Sequence, residues 1–369
     1  MTNLRLLADD LTGALDTAAE LVGVTGPVNA FWHGAIPQVL PPNATLDSGT
    51  RELDEVSAVA RVTALAPALK GGGIAFKKID SLLRGSSLQE TAACLRVGIW
   101  ERAILAPAFP YQGRVTRGGI QYARDHGGLW SPVGGDIVGR LRELGAIAQP
   151  GRLDAPLLPG ISVFDAETDE ALHEVAALGN SGTAPVLWIG TGGLAQALAL
   201  AAPSQAGPRL RPPVLGLFGS DQPVTAGQLA ACSSDWLRLR DGGPLQVAAI
   251  AARLHIEGRV LASLDLPHGL ARDEAARRIA TELHRLVRDL PPPGTLLVAG
   301  GETLRGLCLS LEARSLEVHG RIVPGLPRSV LRGGIWDGVT VVSKSGAFGH
   351  PTLLQDLLRG ADTSTERTA

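Results

Sequence analysis

A short apolar run, a polar turn and an amphipathic helical pattern follow one another repeatedly along the 369-residue chain. The apolar runs are four to six residues long, and the turns contain Gly, Asp, Ser or Thr. Short buried strands that alternate with helices are typical of parallel sheets covered by helices on both faces. The sequence therefore predicts an α/β fold. The repeat occurs at 4–23, 73–95, 102–110, 185–202, 213–232, 294–311 and 338–358.

The segment 201–213 interrupts this repeat, since it contains four prolines and no periodicity. The chain is also too long for one comfortable hydrophobic core, which favours two domains. We predict a domain over 1–205 and a second over 206–369, each a largely parallel sheet flanked by helices. Ligands of such sheets bind beyond the carboxyl ends of the strands, where the polar turns fall.

Composition excludes several classes of partner. A net charge of −2 with scattered arginines predicts no nucleic-acid partner. The eight histidines have no metal-binding spacing, so no residue is assigned to a metal.

Cys94, Cys232 and Cys308 have neither disulfide nor zinc spacing, which indicates a reducing, cytoplasmic environment. No signal peptide or membrane-spanning segment is expected.

Charged side chains follow two of the predicted strands. Asp9 and Asp10 end the first strand, and Lys78, Asp80 and Arg84 follow the apolar run that begins near residue 74. Carboxylates can bind hydroxyl groups or accept a proton, whereas Lys and Arg can hold an anion. A helix cap by one aspartate and a solvated Asp–Arg pair are the alternative interpretations. The density of charge favours a binding site.

Three Gly- or Ser-containing turns in the second predicted domain are candidate phosphate sites. They lie at 219–223, 300–303 and 343–349, each after an apolar strand. Backbone N–H groups at a helix start can bind phosphate where Gly permits close approach. The segment 190–195 offers a competing dinucleotide motif, G-x-G-x-x-A, but no acidic residue follows it at the ribose-binding distance. A Walker A motif is absent.

Lysine is nearly absent, since only four of the 34 basic residues are lysines. Three of them fall in the segments 77–81 and 343–349. A compact point charge differs from the planar fork of arginine, so these positions are expected to need lysine for a function. Lys70 is not explained by this pattern.

Eight motifs in this order resemble the four-carbon acid sugar kinases, which phosphorylate threonate, erythronate or 3-oxo-tetronate at the 4-hydroxyl with ATP. The motifs are ADDLTGALDTA, KKIDSLLRG, APAFPYQGRVTRGG, FDAETD, GTGGLAQALA, GSDQPVT, GGET and SKSGAFG. The resemblance implies two α/β domains, the first for the sugar acid and the second for ATP. It also implies Mg²⁺ bridging the β- and γ-phosphates.

The resemblance places two groups of residues at the ligands. Those expected at the sugar acid are Asp9, Asp10, Arg51, Lys78, Ile79, Asp80 and Ser81, to which the charge pattern adds Arg84. Those expected at ATP are Ser220, Gly300, Gly301, Glu302, Thr303 and Gly346. One of Asp9, Asp10 and Asp80 is expected to accept the proton of the attacking hydroxyl, with Asp80 preferred.

Five positions depart from the family pattern: Leu82, Ser86, Leu304, Arg305 and Ala347. The three in the predicted nucleotide turns, Leu304, Arg305 and Ala347, keep open a second hypothesis, a non-catalytic sugar-acid-binding or sensing protein of the same fold. An NAD(P)-dependent oxidoreductase that uses 190–195 is a third and weaker hypothesis. The sequence leaves open the identity and stereochemistry of the acid and the presence of a homo-oligomer.

Overall fold

Apolar strands of three to seven residues alternate with helices in the computed structural model, which describes residues 2–125, 127–199, 206–219, 222–267 and 269–362. The chain divides into two compact units, Met1–Ser204 and Gln205–Ala369, one residue before the predicted boundary. Among the helices of these described ranges, none is both long and apolar enough to cross a membrane.

The described residues of the first unit form eleven strands. They are β1 (Leu4–Ala8), β2 (Val28–Trp32), β3 (Ala44–Asp47), β4 (Ile74–Lys78), β5 (Arg102–Ala106), β6 (Arg114–Arg117), β7 (Ile120–Arg124), β8 (Trp130–Val133), β9 (Ala148–Pro150), β10 (Gly160–Val163) and β11 (Val186–Gly190). Eight are parallel neighbours in the order β2-β3-β1-β4-β11-β5-β10-β9. The other three form the antiparallel sheet β6-β7-β8.

Helices cover both faces of the eight-stranded sheet. They are α1 (Leu11–Thr25), α2 (Glu55–Leu65), α3 (Ser87–Arg96), α4 (Ile137–Glu143), α5 (Asp169–Ser181) and α6 (Gly192–Leu198). Helices α2, α3 and α4 bury Val62, Ala93 and Leu141 in one hydrophobic core with the strands. Helix α6 packs against α1 and α5 on the other face. Capping fixes the helix starts: the Asp10 carboxylate accepts from Gly13 N–H and the Thr168 hydroxyl from Ala171 N–H.

The second unit has a mixed sheet. Its strands are β12 (Val214–Phe218), β13 (Trp236–Leu239), β14 (Arg259–Leu264), β15 (Thr295–Ala299), β16 (Ser315–Arg321), β17 (Pro327–Arg332) and β18 (Thr340–Lys344). Its helices are α7 (Pro223–Ala231), α8 (Pro244–Ile256), α9 (Arg272–Asp289), α10 (Gly301–Ser310) and α11 (Leu353–Asp362). The sheet order is β13-β14-β12-β15-β18-β17-β16, parallel up to β18 and antiparallel thereafter.

The α/β prediction is confirmed, with two local differences. After β5 the chain forms a short 3-10 turn, Pro110–Gln112, and then the antiparallel strands instead of a helix. Gly113, Gly118 and Gly119 all have positive φ there, so the chain reverses where a helix would continue. The β16–β17 hairpin was also not predicted.

The three cysteines are buried and free. Burial raises the pKa of the Cys94 and Cys308 thiols to about 12 and that of Cys232 to about 11. Thiols in such surroundings are chemically inert, because the thiolate is the nucleophile.

Candidate active site

Four neighbouring strands of the first unit end at one edge of the sheet. Ala8 of β1 pairs with Asp47 of β3, and on the other side of β1, Leu7 pairs with Lys77 of β4. Gly190 of β11 pairs with the next residue of β4. The strands are parallel, so the turns that follow them converge at this edge, as expected for a ligand site.

Arg51 connects three carboxylates at this edge. Its guanidinium bonds to Asp9 through Nε, and its Nη2 and Nη1 lie 3.4 Å from Asp10 Oδ1 and 3.2 Å from Asp80 Oδ1. The N–H groups of Thr50 and Arg51 donate to the Asp9 carbonyl at 3.0 and 3.2 Å, which fixes the turn after β3. The Arg51 side chain is only 12% exposed. These carboxylates further raise the pKa of Arg51, against the effect of burial, so its charge is permanent.

Asp80 organises the loop that follows β4. Its carboxylate accepts two bonds from the Arg84 guanidinium, both at 2.8 Å, and bonds from the N–H groups of Leu82 and Arg84 at 3.2 and 3.1 Å. Burial alone would raise the pKa of Asp80, but Arg84 and Arg51 hold it well below its usual range. An acid with so many donors is a weak proton acceptor.

Asp9 and Asp10 are adjacent but differ in ionisation. Burial would raise the pKa of Asp9, yet the Arg51 charge and hydrogen bond lower it. Burial and the neighbouring Asp9 charge raise the pKa of Asp10 above its ordinary value, against the opposing effect of Arg51. The Asp10 side chain is 27% exposed, and one of its oxygens caps α1 through Gly13 N–H at 2.7 Å. Asp10 is therefore the most basic and most accessible of the three carboxylates.

The two lysines of β4 have separate roles. Lys78 Nζ donates to the Ile79 carbonyl at 2.8 Å and lies close to the start of α1. A Cβ at Gly13 would be 3.0 Å from Lys78 Nζ and 2.7 Å from Asp10 Oδ1, so a larger residue there would displace one or both of these side chains. Lys77 is fully buried and forms an ion pair of 2.7 Å with Glu90 of α3.

The structure thus brings together Asp9, Asp10, Arg51, Lys78, Asp80 and Arg84. Ile79 differs, because its side chain is part of the hydrophobic core. Ser81 is half-buried, and its carbonyl accepts from Gln121 Nε2 of β7 at 3.0 Å. Sequence reasoning missed Gln121 and the Lys77–Glu90 pair. The near absence of lysine was the one signal that pointed towards Lys77.

The 190–195 motif serves packing. The Thr191 hydroxyl caps α6 and donates to the Ala108 carbonyl at 2.7 Å. A Cβ at Gly192 would lie 2.8 Å from Phe109, and one at Gly193 would lie 2.7 Å from the Ala108 carbonyl. The whole segment is buried, so its glycines permit close approach of protein to protein.

The three candidate phosphate turns of the second unit also lie on neighbouring strands. Phe218 of β12 pairs with Ala299 of β15, which pairs with Lys344 of β18. Gly300 has φ of 96°, and its N–H donates to the Lys344 carbonyl at 2.9 Å. Helix α10 starts at Gly301, and the first N–H groups of a helix have no acceptor within it, so they are free to bind an anion.

The predicted nucleotide residues at this edge differ in exposure and in their partners. Glu302 is exposed and pairs with Arg305 at 2.6 Å, while Thr303 lies against Gly219. The Gly346 carbonyl accepts from the Thr225 hydroxyl at 2.7 Å. Ser220 lies outside the described residues. Of the positions that depart from the family pattern, Leu304 is buried in the core and Ala347 is exposed on the surface.

No group of three or more His, Cys, Asp or Glu residues within the described ranges is arranged to hold a metal ion. Magnesium in kinases binds mainly to phosphates and water, with one or two carboxylates. We therefore treat magnesium as part of the nucleotide substrate.

Comparison with known proteins gives two domain matches and several relatives of similar length. A sugar-binding N-terminal domain matches residues 4–136, and a nucleotide-binding C-terminal domain matches 236–354. The chain is 30% identical to a D-threonate kinase of Bordetella bronchiseptica, over 98% of this chain and 97% of that protein. It is 29% identical to a D-threonate kinase of Cupriavidus necator, over 95% of each chain.

Two solved structures share the fold. One is a protein of Salmonella typhimurium LT2, with a TM-score of 0.74, 20% identity and coverage of 97% of this chain and 98% of the other. The second is a Haemophilus influenzae protein, with a TM-score of 0.69, 18% identity and coverage of 98% and 99%.

The fold, the two strand edges and these relatives define a carbohydrate kinase, an enzyme that phosphorylates a hydroxyl group of a sugar acid. The chain belongs to the four-carbon acid sugar kinase family. The family and the enzyme class predicted from the sequence are confirmed, and the kinase relatives with the nucleotide-binding domain imply ATP as the phosphoryl donor.

Proposed function

We propose that the protein transfers the γ-phosphate of ATP to the 4-hydroxyl of a four-carbon sugar acid of the threonate, erythronate or 3-oxo-tetronate type. One observation supports the proposal: three carboxylates and three cations, arranged around Arg51 and Asp80, lie at one strand edge of the first unit. A short acid with several hydroxyls needs both kinds of group. The relatives named D-threonate kinase support this substrate class.

The cations would bind the carboxylate of the sugar acid. Arg84 is the most accessible, with 61% of its side chain exposed, and it offers a planar fork. Lys78 contributes a point charge beside the start of α1. Arg51 is enclosed by Asp9, Asp10 and Asp80, so its main contribution is to hold these carboxylates in place for the hydroxyl groups.

We assign the general base to Asp10. Burial and Asp9 raise its pKa, whereas Arg84 and Arg51 hold the pKa of Asp80 low. A base accepts the hydroxyl proton more readily when its pKa lies nearer to the working pH. Asp80, preferred from the sequence, would instead shape the 81–85 loop. The hydrogen bonds that Asp80 accepts from Leu82 and Arg84 favour a structural role for Asp80 and leave the role of base to Asp10.

ATP would bind to the second unit. The N–H groups at the start of α10, after Gly300, and the loop containing Gly346 would receive its phosphates. Magnesium, brought by the nucleotide, would neutralise charge on the β- and γ-phosphates. Ser220 and Glu302 remain predicted nucleotide contacts.

The test is ADP release with a panel of threonate, erythronate and 3-oxo-tetronate stereoisomers, followed by identification of the phosphorylated position in the product. Turnover of at least one member at its 4-hydroxyl is expected. Titration of MgATP by calorimetry distinguishes the alternative, because a sugar-acid-binding protein without kinase activity would give no nucleotide heat. Failure of the whole panel would contradict the substrate class.

Replacement of Lys78 tests the separation of the two ligands. Lys78→Ala should weaken acid binding by about tenfold or more, since a charge-assisted bond contributes about 1.5–3 kcal/mol. The Kd of ATP should change by less than about twofold, because the charge removed is in the first unit. Calorimetry with each ligand measures both values. An equal loss of affinity for the acid and for ATP would argue against separate sites.

A further inference from the structure

Lys344 is a buried cation at the end of β18, with 2% of its surface exposed. Its Nζ lies 3.0 Å from Thr225 Oγ1, 3.0 Å from the Ser345 carbonyl, 3.1 Å from the Phe348 carbonyl and 3.4 Å from the Gly346 carbonyl. An ammonium has three protons, so all of them are used by these four oxygens. Lys344 therefore has no donor left for a ligand.

The oxygens around Lys344 come mainly from one loop. Three are backbone carbonyls of 345–348, which turn towards a single charge as carbonyls do around a bound monovalent cation. Helix α7 supports the same loop, because Thr225 donates to the Gly346 carbonyl and Gln228 to the Phe348 carbonyl. The conformation of the loop thus depends on side chains that lie behind it.

The backbone of Lys344 also fixes the neighbouring turn. Its carbonyl accepts the Gly300 N–H at 2.9 Å, immediately before α10 begins. One residue therefore connects the two turns, at Gly300 and Gly346, to which we assign the phosphates of ATP.

We propose that Lys344 is a positioning residue for the nucleotide, whose ammonium acts as an internal cation that holds the 345–349 loop in its ATP-binding conformation without contacting ATP. This inference rests on the proposed function. It also explains why a lysine precedes this loop in a chain whose basic residues are mostly arginine, because a planar guanidinium does not match a compact cage of four oxygens.

No other charged group on the surrounding elements takes the place of the Lys344 ammonium among these oxygens, in the parts that the structure describes. Strand β15, helix α7 and the loop residues 345–349 contain no charged side chain within the described ranges. The charged groups on adjoining elements have partners elsewhere: Arg305 with Glu302, Arg332 with Glu317, Arg328 with the Gly207 carbonyl, and His350 with Thr352 and Asp356. Burial lowers the pKa of Lys344 to about 8.

Lys344→Ala tests the inference. The Kd of MgATP should rise on the order of tenfold, the effect of losing hydrogen bonds to one charged group. The Kd of the sugar acid should change less than about twofold, because that site lies in the other unit. Lys70→Ala, which removes an exposed lysine, is the matched control and should leave both values unchanged. Thr225→Val removes one of the four oxygens around Lys344 Nζ, so it should raise the Kd of MgATP by a smaller factor. This variant tests the inference even if Lys344→Ala does not fold.

Chemical rescue distinguishes the effect of the Lys344 charge from the effect of its packing. Propylammonium supplies the missing atoms of the side chain, so it should restore most of the ATP affinity of Lys344→Ala, while propanol, which is similar in size but uncharged, should not. In the wild type, ATP affinity should fall as the pH rises through about 8 and the ammonium loses its proton, a dependence absent from Lys344→Ala. Unchanged ATP affinity in the variant, or equal rescue by propanol, would overturn the inference.

These measurements use ATP binding, so they do not depend on turnover. If the wild type binds MgATP but phosphorylates no acid of the panel, the proposed function fails and the comparison of Lys344 variants still stands. If the wild type does not bind MgATP, both proposals are overturned.

Discussion

Asp10→Asn should lower kcat by a factor of about 10² to 10⁴, the usual contribution of a positioned general base. Asparagine keeps the size of the side chain, and its oxygen can still cap α1 through Gly13, but it cannot accept the proton of the attacking hydroxyl. The KM of the sugar acid should change far less than kcat. Steady-state ADP release with the best acid of the panel gives both constants.

The pH dependence of the wild type provides the matching control. The pKa of Asp10 is raised, so the acid limb of kcat should have its midpoint above the ordinary aspartate value of about 4. Activity should fall as the pH drops through that midpoint, and this limb should vanish in Asp10→Asn. Asp80→Asn should instead act mainly on the KM of the acid, because Asp80 holds Arg84. If Asp80→Asn alone removes the acid limb, Asp80 is the base.

Lys77→Met should lower the free energy of unfolding by about 3–5 kcal/mol, the effect of leaving one member of a buried ion pair without its partner. Lys77 and Glu90 are both fully buried and lie 2.7 Å apart, so Lys77→Met would leave the Glu90 carboxyl group buried without its partner. The free energy of unfolding of a domain is commonly about 5–15 kcal/mol, so this is a large effect. Urea unfolding followed by tryptophan fluorescence measures it.

The double variant Lys77→Met, Glu90→Leu distinguishes the ion pair from simple loss of packing. Removal of both charges should restore much of the stability, since apolar residues of similar volume often replace a buried pair without loss. Lys70→Met, at an exposed position, should leave the unfolding midpoint unchanged. A double variant no more stable than Lys77→Met would show that the charge pair is not the cause.

The sequence predicts the layered architecture well, because alternation of apolar runs and helices is a local signal. The strands β1, β4, β11, β12, β15 and β18 and the helices that follow them lie where the repeat predicts them. The antiparallel strands after Pro110 were missed, since Gly113 and the Gly118–Gly119 turn change the direction of the chain without altering the apolar pattern. Local turn chemistry outweighs periodicity there.

The residues of the candidate site were predicted better than their roles. Motif positions identify Asp10, Arg51 and Asp80, but roles depend on partners that are distant in sequence. Arg51 and Asp9 are 42 residues apart, and their ion pair makes Asp9 and Asp10 differ in pKa. Three of the four lysines were expected to have a function, but only Lys78 was assigned to a ligand. In the structure Lys77 pairs with Glu90, and Lys344 donates to carbonyls of its neighbouring loop. Burial and pairing decide such roles.

The three inert thiols make the protein a ready background for site-specific labelling. A cysteine introduced on the surface would react with a maleimide dye far faster than Cys94, Cys232 or Cys308, whose thiolates are scarcely populated at neutral pH. With one such cysteine in each unit, the distance between two dyes could be measured by fluorescence energy transfer without removal of any native cysteine. The separation of the two units, with sugar acid, nucleotide or both bound, then becomes a quantity that can be followed in solution.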